Sequence, residues 1–345
     1  MEERIVVIGA SAGGVEALSQ VIGALPSDFP AAICIVLHIP AESPSLLSMI
    51  LDRRSALHVK DGEDGDALRP GTAYVAPPDH HLVVGRDGTL RATRGPRENR
   101  HRPALDPLFR SAARAYGSRA IGVVLTGNLD DGTAGLMAIK QQGGFTIVQD
   151  PADAMFPDMP RNALEHTNPN VVAPLDQIAA AIMTAVHEKP KIPGLQPADT
   201  RRLDIETLMA EMDHDAMHED DRPGVPSPWS CPDCGGVMWQ IDEDQYSRFR
   251  CRVGHAYSPE SILGAQADQF EEAMWTAMKT LEESARLAQR LSRSEGLRGH
   301  EWMARRFADR EREARERVEI IRQVLARGMT LPPSHADVQE EVSGD

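Results

Sequence analysis

Two patterns of apolar positions alternate over the first 185 residues. Short, nearly continuous runs rich in β-branched residues, at 5–8, 32–37, 72–76, 81–84, 120–125 and 146–148, read as strands. Between them, apolar positions spaced by three and four predict helices at 15–24, 45–52, 107–116, 133–142, 160–165 and 175–186. Strands apolar on both sides, alternating with helices, predict an α/β fold: a doubly wound, mostly parallel sheet with helices on both faces. The strand pair within 72–84, joined through Pro77-Pro78-Asp79, reads as a hairpin appended to that sheet.

Residues 188–228 break the pattern. Pro190, Pro193, Pro197, Pro223, Pro226 and Pro228 bracket a short helical segment at 204–212 and an acidic run at 213–221, which predicts a linker. A cysteine-containing module follows at 229–257, then helices at about 259–293 and 299–327, separated near Gly296. In the second helix Met303, Phe307, Ala314, Val318, Ile321 and Leu325 form one apolar stripe beside dense Arg/Glu faces, the mark of a helical hairpin or short coiled coil. The expected order is therefore an α/β domain at 1–187, a Pro-rich acidic linker at 188–228, a cysteine module at 229–257, a helical hairpin at 258–328 and a disordered tail at 329–345.

Composition narrows the function. The chain has 345 residues, room for about two domains, with 26% charged and 41% hydrophobic residues. No apolar stretch approaches the roughly 20 residues that span a bilayer, so membrane insertion is not expected. The start, Met1-Glu2-Glu3-Arg4, is acidic and enters a strand at once, unlike a secretory signal, so the expected location is cytoplasmic. A formal net charge of −15 argues against a nucleic-acid binder. Within the first half, Arg91, Arg94, Arg97, Arg100, Arg102, Arg110, Arg114 and Arg119 make a basic stretch, either a solvated face or a landing surface for an acidic partner.

The candidate chemistry lies at three strand ends. Ser11 sits in Gly9-Ala10-Ser11-Ala12-Gly13-Gly14, between a strand and a helix, where exposed N–H groups and the helix dipole favour negative charge. Alone, that turn suits a phosphate cradle as well as a nucleophile. It lacks the G-x-x-x-x-G-K-[ST] pattern, and the second strand ends in His38 rather than the acid of a dinucleotide site. Asp130 and Asp131 follow the strand at 120–125. Strand carboxyl ends converge near a topological switch point in such sheets. There Ser11, His38 and one of the aspartates would form a nucleophile, its base and the carboxylate that orients the base. The order Ser…His…Asp differs from that of α/β-hydrolases and implies a distinct hydrolase fold.

With these residues assembled, residues 4–185 resemble the catalytic domain of CheB-type chemotaxis protein-glutamate methylesterases. The resemblance rests on Val7-Ile8-Gly9-Ala10-Ser11-Ala12-Gly13-Gly14, Ile35-Val36-Leu37-His38-Ile39 and Val75-Ala76-Pro77-Pro78-Asp79-His80-His81. It extends to Leu105-Asp106-Pro107-Leu108-Phe109-Arg110, Leu125-Thr126-Gly127, Asp131-Gly132, Val148-Gln149-Asp150 and Met159-Pro160-Arg161-Asn162-Ala163. It implies a triad on Ser11, His38 and Asp131, because the family aspartate directly precedes a glycine. It also implies hydrolysis of glutamate γ-methyl esters on chemoreceptor cytoplasmic helices with release of methanol, deamidation of receptor glutamines in some members, and no cofactor for catalysis. Ala12 stands where the family has Thr, and Asn128-Leu129 where it has Met-Gly. Many members carry an N-terminal receiver domain; this chain begins at the catalytic strand, so a stand-alone catalytic domain is expected.

Cys231-Pro232-Asp233-Cys234 and Cys251-Arg252-Val253-Gly254-His255, separated by 16 residues, have the spacing of a tetrahedral structural Zn²⁺ site held by Cys231, Cys234, Cys251 and His255. The segment resembles the zinc-ribbon-like extension found after some stand-alone methylesterase domains. Cys34, inside a strand, reads as a core residue. The competing reading is a non-catalytic signalling adaptor, in which a retained esterase fold binds receptor helices. A separate regulatory or signalling protein is a further expected partner, through the C-terminal helices.

Overall fold

The computed structural model describes residues 3–189, 197–213, 224–243 and 246–327. The chain begins β1 (Arg4–Ala10), α1 (Gly14–Gly23), β2 (Ala31–Leu37), α2 (Leu47–Asp52), β3 (His58–Asp61), β4 (Thr72–Val75), β5 (His81–Val84) and β6 (Leu90–Thr93). It continues α3 (Leu105–Tyr116), β7 (Ala120–Val124), α4 (Thr133–Gln141), β8 (Phe145–Gln149), α5 (Asp158–Thr167), β9 (Val171–Ala173) and α6 (Leu175–His187). There follow α7 (Pro197–Ala210), β10 (Val225–Ser230), β11 (Val237–Glu243), β12 (Tyr246–Cys251), β13 (Ala256–Tyr257), α8 (Pro259–Leu297) and α9 (Glu301–Arg327).

Seven strands form a parallel sheet in the order β3-β4-β2-β1-β7-β8-β9. β1, β2 and β7 are buried along their whole length, so every side chain needs an apolar partner. Alternate residues supply two cores. Val6, Ile8, Ile33, Ile35 and Val123 pack with Leu18, Ile22, Ile178 and Ile182 of α1 and α6. Ile5, Val7, Cys34, Val36 and Val124 pack with Leu105, Phe109 and Leu136 of α3 and α4. Cys34 is fully buried, and burial pushes its thiol pKa up, consistent with a packing role. The chain leaves β1 to build one side of the sheet and returns through β7 on its other side. The switch point therefore lies at the C-terminal ends of β1, β2 and β7.

The expected hairpin within 72–84 is corrected. β4 lies inside the parallel sheet, between β2 and β3, whereas β5 pairs antiparallel with β6 in a separate two-stranded sheet. Ala73, Tyr74 and Val75 are apolar to both faces, which suits an interior parallel strand. β3, β6 and β9 escape the sequence pattern because each has only three or four residues, and β3 and β6 mix polar with apolar positions.

The stretch expected as a linker contains α7, which packs on α3 through Leu203. Its remainder at 190–196 and 214–223, and the tail from 328, lie outside the described residues. Glu206 is buried on α7, a placement that composition does not suggest. It accepts from Arg248 Nη2 at 2.7 Å and Arg250 Nε at 3.2 Å. Arg250 also reaches Glu98 at 3.0 Å, and Glu98 accepts from Arg110 at 2.6 Å. Burial opposes ionisation of Glu206, but the arginines overcome it and hold the carboxyl well below the usual carboxylate range. Glu206→Gln is expected to lower unfolding stability by about 3–5 kcal/mol, because removing one partner strands buried guanidinium charge. Urea denaturation of the two proteins measures it, and a loss under about 1 kcal/mol would show that α7 does not depend on the network.

The chain divides into two compact units, residues 1–261 and 262–345. The antiparallel sheet β10-β11-β12-β13 belongs to the first. In the second, Ser292 Oγ donates to the Ala304 carbonyl at 2.9 Å and Gln289 Nε2 to Glu311 at 3.0 Å, pairing α8 and α9 as an antiparallel hairpin. Ala285, Ala288, Ala314 and Val318 are buried there, and the expected stripe is the seam. Among the described residues no helix is long and apolar enough to cross a membrane.

Candidate active site

Ser11 follows β1, and Gly13, at φ +72°, makes the left-handed turn into α1 that a side chain would strain. Backbone bonds fix the three strand ends to each other. Ser11 N–H donates to the Thr126 carbonyl at 2.9 Å, and His38 N–H to the Ala10 carbonyl at 3.2 Å. Gly127 must lack a side chain, since a Cβ there would fall 2.8 Å from Ser11 Cβ and 2.1 Å from Met159 Sδ. Leu129 keeps a left-handed backbone (φ +62°), with its carbonyl accepting from Asn162 Nδ2 at 3.1 Å. The turn thus retains a glycine-like conformation despite the leucine.

The three polar side chains meet at these ends. His38 Nδ1 lies 3.1 Å from Ser11 Oγ, and His38 Nε2 lies 2.7 Å from Asp131 Oδ2. The Asp131 carboxylate selects the Nε2–H tautomer, leaving the Nδ1 lone pair to accept from the Ser11 hydroxyl. Asp131 Oδ2 also accepts from Leu105 N–H at 2.6 Å, and Oδ1 from Asn99 Nδ2 at 2.9 Å. Burial disfavours charge on Asp131, yet His38, the Leu105 amide and Asn99 hold its pKa below the usual range. Asp106 responds oppositely: burial and the Asp131 charge push its pKa up. His101 stacks on His38 with ring centroids 3.7 Å apart. Burial and the neighbouring His38 lower the His101 pKa to about 3, so it packs as a neutral ring.

Asp130 points away from the serine. Its Oδ2 accepts from Tyr246 OH at 3.0 Å and its Oδ1 from Ser258 Oγ at 2.7 Å. Burial raises its pKa to about 7. The folded state keeps a proton that the unfolded chain releases near pH 3.9, so this contribution is complete below the unfolded value and lost as pH rises through about 7. Between about pH 6 and pH 8 the wild type should lose roughly 1 kcal/mol more stability than Asp130→Asn. Denaturation curves at both pH values test this, and parallel losses would remove Asp130 as the titrating group.

The arginine stretch is mostly engaged within the protein. Arg102 pairs with Asp79 at 2.6 Å, Arg94 pairs with the other oxygen of the same carboxylate, and Arg114 pairs with Asp204 at 2.6 Å. Arg110 is buried against Glu98. Arg102, Arg110 and Arg114 are thus held by carboxylates of the protein itself.

Cys231, Cys234, Cys251 and His255 converge, their ligand atoms all within 4.8 Å of one another. Cys234 Sγ and Cys251 Sγ are 3.7 Å apart, too far for a disulfide. His255 Nδ1 lies 3.6 Å from Cys231 Sγ and 3.5 Å from Cys251 Sγ. The edges of a tetrahedron drawn with zinc–ligand bond lengths are about 3.8 Å for S···S and about 3.6 Å for S···N. The donor set fits a metal ion with no open position.

Sequence reading placed Ser11, His38 and Asp131 at strand ends but missed Asn99, His101, Tyr246 and Ser258. Asn99 and His101 lie in an irregular loop with no periodicity to mark them. The other two lie more than 100 residues from Asp131 in the chain.

A family model described as CheB methylesterase matches residues 6–182. A putative protein-glutamate methylesterase/protein-glutamine glutaminase of Leptospira interrogans is 40% identical over 179 residues, covering 52% of this chain and 93% of that protein. A protein-glutamate methylesterase/protein-glutamine glutaminase 2 of Pseudomonas aeruginosa is 42% identical over 184 residues, covering 52% of this chain and 52% of its own. The chain thus matches about half the length of that longer relative. The crystal structure of the Thermotoga maritima CheB methylesterase catalytic domain aligns with TM-score 0.51 and 36% identity, over 53% of this chain and 99% of that one.

Proposed function

The chain belongs to the CheB methylesterase family, and from that premise we propose that it hydrolyses glutamate γ-methyl esters on chemoreceptor cytoplasmic helices. The observation that carries the reading is the unbroken relay from Ser11 Oγ through His38 to Asp131. Ser11 Oγ attacks the ester carbonyl as His38 Nδ1 takes its proton, and Asp131 stabilises the imidazolium. The N-terminus of α1, directly after the serine turn, favours the negative charge of the oxyanion. Collapse returns the proton to the departing methoxide, releasing methanol and leaving a glutamyl ester on Ser11. Water, deprotonated by His38, then cleaves that ester to glutamate. A receptor glutamine follows the same route with ammonia as leaving group. No cofactor takes part.

Cys231, Cys234, Cys251 and His255 hold a structural Zn²⁺ in this reading, with thiolate and imidazole donors that suit it over harder cations. The protein acts in the cytoplasm, where thiols stay reduced and the methylated helices lie. The α8–α9 hairpin is available to a separate signalling protein. Methanol release from methylated receptor fragments tests the activity, with ammonia release testing deamidation. Binding of those fragments without either product would favour an adaptor.

A further inference from the structure

The loop at residues 97–101 touches two members of the triad. Asn99 donates to Asp131, and His101 stacks on His38. The loop is held from the C-terminal sheet. Asn99 N–H donates to the Ala256 carbonyl at 2.8 Å, and Ala256 N–H to the Arg97 carbonyl at 3.2 Å, extending β13 with a short parallel bridge. Arg250 of β12 grips Glu98. The side chain of Asn99 is fully used. Its Nδ2 donates to Asp131 at 2.9 Å and Asp106 at 3.0 Å. Its Oδ1 accepts from Ser258 N–H at 3.1 Å and Ser261 Oγ at 3.2 Å. Those last two donors fix which end of the amide faces Asp131, because a flipped amide would set its NH₂ against two donors and its oxygen against the Asp131 carboxylate.

We propose that Asn99 is a positioning residue for Asp131, and that the segment joining the C-terminal sheet to α8, through Ser258 and Ser261, sets its orientation. The sheet that carries the cysteines is then a working part of the hydrolytic centre and not an appended tether. Asn99 acts on the reaction only through Asp131 and His38, so it alters the rate of proton transfer and not substrate binding. The inference deepens the hydrolytic reading and rests on Ser11 being the nucleophile.

The test uses the full chain and two reactions. Diisopropyl fluorophosphate reports on the triad without a receptor: the Ser11 Oγ–P bond forms, the P–F bond breaks, fluoride leaves and His38 takes the serine proton. Methanol release gives kcat and KM on methylated receptor helices. Asn99→Ala is expected to slow both phosphorylation by this reagent and kcat by about 10- to 100-fold, with KM within about twofold, since one charge-assisted hydrogen bond is lost. Ser261→Ala, which removes one hydroxyl and leaves Asn99 in place, is expected to slow both by about 3- to 10-fold. If Asn99→Ala loses its near-ultraviolet circular dichroism, Ser261→Ala alone decides. Wild-type rates in Ser261→Ala, or a raised KM with unchanged kcat in Asn99→Ala, would overturn the proposal. Phosphorylation of wild-type Ser11 by the reagent without methanol release would instead remove the methylesterase reading and leave this one standing.

Discussion

Ser11→Ala is expected to lower methanol release by at least about 10⁴-fold while leaving the fold intact. That is the equivalent of about 5.5 kcal/mol of transition-state stabilisation. The size follows from the relay. With the hydroxyl gone, His38 has no nucleophile to deprotonate, and Asp131 has an imidazolium to stabilise only if a stray water takes the serine's place. What survives is binding and whatever oxyanion stabilisation the start of α1 provides, effects worth far less without the covalent step. Folding should be unaffected, because Ser11 is anchored by its backbone N–H to Thr126 and not by its side chain. Wild type and variant are compared at saturating methylated receptor fragment, with circular dichroism as the folding control. A loss smaller than about tenfold would mean that another group attacks the ester, and the relay would lose its assigned role.

Cys231→Ser is expected to abolish binding of roughly one equivalent of zinc and to unfold β10–β13. Structural zinc in small domains contributes on the order of 10–16 kcal/mol of apparent binding free energy, which is also folding free energy. A sheet of four short strands, with exposed Val225, Trp229 and Val237, has little core of its own to replace it. The consequence reaches further than the sheet. β12 supplies Tyr246, Arg248 and Arg250, so its loss would leave Asp130, Glu206 and Glu98 short of buried partners. Metal analysis together with amide hydrogen exchange should show metal loss, fast exchange over 225–257, and raised exchange in α7. Unchanged metal content would refute the assignment of the four ligands, and metal loss without raised exchange would refute the coupling.

Much of the parallel sheet could be read from the chain because its strands announce themselves. β1, β2 and β7 are buried on both faces, and only continuous apolar runs satisfy that environment. Ser11 and His38 stood out for a related reason: each is a polar residue directly after such a run, whereas Asp131 lies in the turn that follows β7. β4 was assigned to the wrong partner because a four-residue strand carries no record of its neighbour. Thr72–Val75 pairs with β2 some 40 residues earlier, while the strand next in sequence pairs elsewhere. Arg110, within the basic stretch, lies buried against Glu98, a placement that its charge alone does not suggest.

The sequence by itself determined the α/β alternation, the serine, histidine and aspartate at their strand ends, the metal-ligand spacing and the helical hairpin. Each depends on local pattern: periodicity, a turn, or a fixed interval between ligands. The tertiary structure alone decided which ring nitrogen faces Ser11, and that Asn99 joins Asp131 to Ser258 and Ser261. Those are matters of direction and of contacts spanning as many as 162 residues. Hydrogen bonds at that range are set by how the sheets and helices pack, and no local pattern in the chain encodes them.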